Sequence, residues 1–400
     1  MKKEVRYKKK RRLTWLGCLV VALTLGLVLG ASFGLYSYLN KEPVKEEKEE
    51  PIIDDTPQKE EMSASLVMVG DALIHSAIYE DAYDGTSYDF KPMLREIKPL
   101  LKDYDLKYYN QETILGGVEL GLSNYPRFNS PYEVGDAFID AGFNLVSLAT
   151  NHTMDKGETG VINSLNYWNS KDNVYTAGSY LSKEDRDKVI IKEINGITYT
   201  FFSYTTWTNG LETPLGKEYL NNVYDPVKVK EDIEKVRDQV DVVIVAMHWG
   251  TEYSTTVSST QQKIANYLAS LGVDIIIGSH PHVVEPIAFI GKTMVIYSLG
   301  NFISDQVGVE RLTGLMVGID IHKTVENGVT TIELKNPRAN LLYTHSLYAK
   351  KRNFVVYPYT SLTDDLLPNY KDYYERYKQI VLSLDQTIEM PSLGWFDGDY

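Results

Sequence analysis

The chain has 400 residues, of which 43% are hydrophobic and 24% charged, enough apolar content for a sizeable core as one large or two modest domains. That excludes a chain disordered throughout, and the net charge of −13 argues against nucleic acid as a partner, because binding a phosphate backbone needs basic patches. Cys18 is the single cysteine, which excludes any disulfide within one chain.

The first twelve residues, MKKEVRYKKKRR, hold eight Lys or Arg against one Glu and read as a basic cytoplasmic tail. Residues 13–40 contain no charged side chain. About 20 apolar residues span a bilayer, so this segment predicts a single transmembrane helix acting as a signal anchor. The basic flank sets the N-terminus in the cytoplasm and the C-terminal domain outside the cell membrane. A cleaved signal peptide is the alternative, although its apolar core is usually only about 7–15 residues long. Too little apolar chain precedes Cys18 for a lipoprotein signal, so it reads as a packing or lipid-facing thiol.

Residues 41–61, KEPVKEEKEEPIIDDTPQKEE, carry nine acids, four lysines and three prolines, the composition of a disordered acidic linker. The folded domain is expected over 62–345, followed by a partly helical extension over 346–400. Without the tail and the linker the net charge is about −15. Such a surface gives no long-range attraction for an anionic polymer, which would have to be held by local positive charge such as metal ions.

Beyond the linker, apolar runs of strand length alternate with stretches of helical spacing. SLVMVG predicts a buried strand ending at Gly70 and Asp71, and FKPMLREIKPLLKD has helical spacing. DLKYYN, a helix over 132–141, FNLVSLAT and a helix over 157–168 follow. After VYTAG, the runs VIIKEI and ITYTFFSY flank Asn195-Gly196, a strong hairpin signal. A helix over 225–239 leads into DVVIVAMHWG, and one over 260–271 leads into VDIIIGSHPH. GLMVGIDI and VTTIEL, joined around Asn327-Gly328, predict late antiparallel pairing. LLPNYKDYYERYKQIVLSL predicts a tyrosine-rich helix whose rings read as packing residues. The order is α/β with substantial antiparallel content.

Polar residues collect at the strand ends: Asp71, then Asn110 and Glu112, Asn151 and His152, His248, and finally His280 with His282. Of the seven histidines, four stand at these ends, His75 lies just behind Asp71, and His322 and His345 fall elsewhere. A lone buried histidine is usually a core residue, and Asp or Asn after a strand is usually a turn former or cap. The repeated placement is different, because the carboxyl ends of strands in an open α/β sheet converge on one crevice. Carboxylate, imidazole and amide donors without thiolate suit Mn, Fe or Zn. Two such divalent ions clamp a phosphoryl group and activate a bound water.

The motifs MVGDALIH, NQET, ATNHTMDKGETG, AMHWGTEY, IIGSHPHVVEP and YSLGNF, in order from Leu66 to Phe302, resemble the CapA family of poly-γ-glutamate capsule biosynthesis proteins. That family is a branch of the calcineurin-like metallophosphatase superfamily. The resemblance implies two mixed β-sheets sandwiched between helices (α/β/β/α). It implies metal ligands Asp71, His75, Glu112, Asn151, His248, His280 and His282, with His152 protonating the leaving group and Asp71 in the catalytic set. Three residues separate Asp71 from His75 where the superfamily usually has one, so His75 is a ligand, a substrate-binding residue or a neighbour of another strand. Glu112, with Asn110 beside it, takes the place of the usual bridging aspartate. Asp155 and Glu252 are candidates for orienting histidines, and Asn301 either bonds a ligand or sits in a simple turn.

Three functions follow. One is a membrane-anchored metal-dependent hydrolase cutting a phosphoester or amide in a capsule or cell-envelope polymer such as poly-γ-glutamate. The second is a non-catalytic polymer-binding subunit assembled with capsule synthase membrane subunits. The third is a structural ectodomain whose site has decayed.

Overall fold

The computed structural model describes residues 15–41, 59–347 and 351–393, so the basic tail and most of the acidic linker lie outside the described residues. It divides into two compact units, Met1–Thr56 and Pro57–Tyr400. In the first, α1 (Trp15–Leu39) is 25 residues long and contains an 18-residue stretch with a mean hydropathy of 2.3, long and apolar enough to cross a membrane, a test that a signal sequence near the N-terminus also passes. Two of its hydroxyls are satisfied inside the helix, Thr24 Oγ1 donating to Val20 O at 2.9 Å and Ser32 Oγ to Val28 O at 2.7 Å.

The second unit opens with β1 (Lys59–Ala72) and α2 (Ser76–Ala82), then β2 (Leu106–Asn110), α3 (Glu133–Ala141), β3 (Leu145–Ser147), α4 (Gly157–Asn169), β4 (Tyr175–Ala177) and α5 (Lys183–Asp187). The hairpin β5 (Lys192–Ile194) and β6 (Ile197–Thr205) precedes α6 (Pro226–Glu234), β7 (Val242–His248), α7 (Ser259–Ser270) and β8 (Ile275–Ser279). The chain ends with β9 (Ile287–Ile290), β10 (Thr293–Ile296), β11 (Asn301–Ile303), α8 (Val309–Leu312), β12 (Thr313–Glu326), β13 (Val329–Leu347), β14 (Arg352–Pro358) and α9 (Tyr370–Val381).

Two mixed sheets result. One runs β14-β13-β12-β1-β2-β3-β4 with β11 paired parallel to β1, and the other β5-β6-β7-β8-β10-β9. Within the first, β1 to β4 are parallel; within the second, β6, β7, β8 and β10 are.

Burial follows the two-residue strand period and defines four layers. Leu66 and Met68 of β1 face Ile244, Ala246, Ile275 and Ile277 across a core between the sheets. The alternate residues Val67 and Val69 face outward and are covered by α2, α3 and α4 through Ile78, Phe138 and Val161. On the other sheet Val243, Val245 and Ile276 are covered by Ile233 of α6 and by Ile264 and Leu268 of α7. The order is the expected α/β/β/α. Central strands covered on both faces are continuous apolar runs, which is why VVIVAM and VDIII stand out in the sequence.

The stretch FKPMLREIKPLLKD is not one α-helix. It forms two 3₁₀ turns, Lys91–Leu94 and Lys98–Leu101, each with a proline at its start. Pro92 begins a turn readily, but Pro99 has no N–H to continue the ladder and its ring displaces the carbonyl four residues back. The helix expected over 225–239 likewise stops at Glu234, capped at its start by Asp225, which accepts from Val227 N at 2.8 Å and Lys228 N at 3.2 Å. Residues 352–358, within the expected extension, form the edge strand β14, and α9 buries Tyr374 and Tyr377 on the main core. Those tyrosines are packing residues, as expected.

Candidate metal centre

The carboxyl ends of β1, β2, β7 and β8 bring the polar residues to one place. Asp71 pairs in register with Asn110 of β2 and with Asn301 of β11, and His248 with Ser279. The approach of β1 to the turn before β11 depends on glycine: a Cβ on Gly70 would lie 1.8 Å from Gly300 O, and Asp71 N donates to that same oxygen at 3.0 Å. Gly278 does the same for β8, where a Cβ would lie 2.0 Å from Tyr297 O.

Asp71, Asn110, Glu112, Asn151, His248, His280, His282 and Asn301 are all buried. Asn110 Nδ2 donates to Asp71 Oδ1 at 2.8 Å, and the amide of His280 donates to Asp71 Oδ2 at 3.3 Å. Glu112 Oε1 lies 3.6 Å from His282 Nε2 and 3.8 Å from His248 Nε2, so this carboxylate stands between the two rings. His282 Nδ1 is 3.0 Å from Asn301 Oδ1 and 3.5 Å from Asp71 Oδ2. His248 Nε2 is 2.9 Å from Asn151 Oδ1, and its Nδ1 is 3.0 Å from Ser279 Oγ. Glu112, His280 and His282 each aim a donor atom at one space, within 4.8 Å of one another.

The turn that presents the two imidazoles is strained. His280 has φ +99° and His282 has φ +59°, both in the left-handed half of backbone space that costs a non-glycine residue about 1–3 kcal/mol. Bonds on either side hold it, from Trp249 N to Ser279 O at 3.0 Å and from Tyr253 N to Pro281 O at 2.7 Å.

The donor set fits a metal ion on an observation of its own: both oxygens of Glu112, Asn110 Oδ1 and His280 Nδ1 are buried without a hydrogen-bond partner among the described residues. An ion-free carboxylate in that position is costly. Burial first, then the Asp71 and Glu252 carboxylates, push the Glu112 carboxyl well above the usual range, with His282 acting against them. Burial and the neighbouring imidazoles push His248 well below its ordinary value and His280 down to about 4, so both rings are neutral with a lone pair to offer. Burial also opposes charge on His282, but Glu112 and Asp71 outweigh it and raise that ring to about 9.

His152 forms a separate unit beside this cluster. Its Nδ1 lies 2.7 Å from Asp155 Oδ2, and that oxygen also accepts the Phe128 amide at 2.6 Å. The Phe128 ring meets His152 edge-on, centroids 4.8 Å apart, and meets His75 in the same way at 5.3 Å. His75 is half-buried at the start of α2 with Nδ1 3.0 Å from Leu73 O and 3.3 Å from Asp305 N, and among the described residues none of its hydrogen bonds reaches the carboxylates. Glu252 is exposed. Ser279 and Phe128 are site residues that sequence reasoning missed: a serine closing a strand reads as a turn former, and Phe128 lies in a loop without periodicity.

Among solved structures, the crystal structure of calcineurin-like phosphoesterase YfkN from Bacillus subtilis is similar with a TM-score of 0.46 and 15% identity, over 70% of this chain and 91% of that one. Among curated proteins, PGA biosynthesis protein CapA of Bacillus subtilis (strain 168) is 32% identical over 175 residues, 42% of this chain and 44% of that protein. Capsule biosynthesis protein CapA of Bacillus anthracis is 27% identical over 260 residues, 62% of this chain and 61% of that protein. The matches thus span about half the length of these curated relatives. Residues 65–306 match the family model described as bacterial capsule synthesis protein PGA_cap, and the chain belongs to that family.

Proposed function

We propose that this protein is a metal-dependent hydrolase, anchored in the cell membrane by α1 with its folded unit outside, that cuts a phosphoester or amide in a capsule polymer such as poly-γ-glutamate. The observation that carries the reading is Glu112, a fully buried carboxylate whose oxygens have no hydrogen-bond partner among the described residues, placed between His248 and His282. Its natural complement is a pair of divalent ions, Mn, Fe or Zn by donor chemistry. Asp71 and His282 would serve one, Asn151, His248 and His280 the other, and Glu112 both. The chemistry supplied at such a site would be Lewis acidity, lowering the pKa of a water and stabilising charge on a phosphoryl or carbonyl oxygen.

The chain's own side chains do the rest. Asn110 fixes the Asp71 carboxylate through Oδ1. With its proton on Nδ1 against Ser279 Oγ, His248 would offer Nε2, 2.9 Å from Asn151 Oδ1 in this structure, as a ligand beside that amide oxygen. Asp155 holds the proton of His152 on Nδ1 or, when the ring is charged, orients it so that Nε2 can give its proton to a departing oxygen or nitrogen. Phe128 keeps that ring edge-on and in place.

A second reading, a non-catalytic polymer-binding subunit of a capsule synthase complex, is favoured by the curated relatives, which are named for biosynthesis. Metal analysis of the full chain in detergent, followed by assay on a phosphodiester and on polyglutamate with His152→Ala as control, separates the two. Bound ions with turnover that depends on His152 support the hydrolase; bound ions without turnover support the assembly role.

A further inference from the structure

Beside His282 stands a pair of side chains that the metal chemistry leaves unused. Arg311, in α8, lays its guanidinium over the Tyr253 ring with Cζ 4.3 Å from the centroid. Both residues are fastened to the centre. Tyr253 N donates to Pro281 O at 2.7 Å, and its ring centroid lies 6.0 Å from that of His282. The Arg311 carbonyl accepts from Asn301 Nδ2 at 2.8 Å, and Asn301 Oδ1 is 3.0 Å from His282 Nδ1. Tyr253 keeps φ +66°, a conformation unfavourable for an aromatic residue, while leaving 45% of its surface exposed.

A guanidinium carries five N–H donors. Among the described residues those of Arg311 make no hydrogen bond: Nε is buried without a partner, and the ion pair it does make is a loose one, to Glu310 Oε1 at 3.7 Å. Lys351, by contrast, is spent on Asp305 at 2.6 Å. Stacking on an aromatic ring holds a guanidinium flat, so little entropy is lost when its fork grips two oxygens of a carboxylate or phosphate. The acidic chain, at −13 overall, supplies no long-range pull on an anion, so recognition has to come from a local cation.

We propose that Arg311, braced on Tyr253, is the specificity-determining residue that seats an oxyanion of the substrate next to the bond held at the metal centre. The inference rests on the hydrolase reading, and equilibrium binding tests it separately from turnover.

The full-length protein in detergent is titrated calorimetrically with a γ-linked glutamate pentamer, with the uncharged glutamine pentamer and with inorganic phosphate, before and after chelation. Arg311→Met is expected to weaken the glutamate pentamer at least tenfold in both states and to leave the glutamine pentamer unchanged. Arg311→Lys, which keeps the charge without the flat fork, should recover only part of the loss. A loss confined to phosphate also supports the inference and identifies the oxyanion as phosphoryl. Unchanged binding of both anions by a folded Arg311→Met protein with an unshifted Tm overturns it. Binding that depends on Arg311 without cleavage keeps this inference and removes the hydrolase.

Discussion

His152 Nδ1 and Asp155 Oδ2 are 2.7 Å apart in a pocket from which both side chains are closed to solvent. The contact fixes the orientation of the ring and leaves Nε2 on its far side from the carboxylate. If His152 is the proton donor, His152→Ala should lower kcat by about 10²–10⁴-fold while bound metal stays constant. Asp155→Asn should act through the ring, with a smaller fall in kcat and a displaced pH profile. Metal content by mass spectrometry beside steady-state kinetics checks both. Loss of metal in His152→Ala would make the residue a ligand instead.

Glu112→Gln separates metal binding from folding. The buried carboxylate has no hydrogen-bond partner among the described residues and meets His282 and His248 only at 3.6 and 3.8 Å, so the isosteric amide should change the stability of the metal-free protein little. Added metal should then lose its effect. A ligand at about 100 times its Kd stabilises a fold by about 2.7 kcal/mol, and thermal melts with and without Mn or Zn should show such a rise in the native chain alone.

Gly70 admits no side chain, since a Cβ there would stand 1.8 Å from a backbone oxygen that cannot rotate away. Gly70→Ala should therefore cost at least about 3 kcal/mol and, with Asp71 next in the chain, weaken metal uptake in whatever protein remains folded. Urea unfolding and metal titration measure the two effects. A mild cost with intact metal affinity would mean that β1 and the Gly300 turn yield more easily than their contact implies.

Much of this candidate centre is legible because its candidate ligands punctuate apolar runs. His248 closes VVIVAM, and His280 and His282 follow VDIII, so buried strands announce their own ends. Glu112 was legible only through its neighbour Asn110 and the family motif around it. The rest depends on contacts that local pattern does not encode. Phe128 reaches His152 and Asp155 from a loop held by backbone bonds, and Arg311 meets Tyr253 across a fold-level crossing. The Lys91–Leu101 stretch has the apolar spacing of one helix, but its two prolines divide it into two 3₁₀ turns. Within 346–400, the run NFVVY held a strand signal that the tyrosines of the following helix obscured.

The two sheets are tied at one edge by Lys323 of β12, whose Nζ donates to Asp241 Oδ2 at 2.7 Å just before β7. The same oxygen accepts Thr198 N at 2.8 Å and Thr198 Oγ1 at 3.0 Å. Burial works against the charge, but Lys323 and Thr198 outweigh it and hold the Asp241 carboxyl below its usual range. A carboxylate with a lowered folded pKa binds protons more readily when unfolded. Its contribution is therefore present at neutral pH and is lost as pH falls below about 4 and through the folded value. Asp241→Asn should cost about 2 kcal/mol at pH 7, in the range for a hydrogen bond to a charged group, and should flatten the acid limb of the stability curve. Lys323→Met should cost less, because Thr198 still serves the carboxylate, but should flatten the same limb. Urea midpoints from pH 7 down to about pH 3 decide the matter; parallel acid limbs in native and Asp241→Asn proteins would assign the acid sensitivity to other carboxylates.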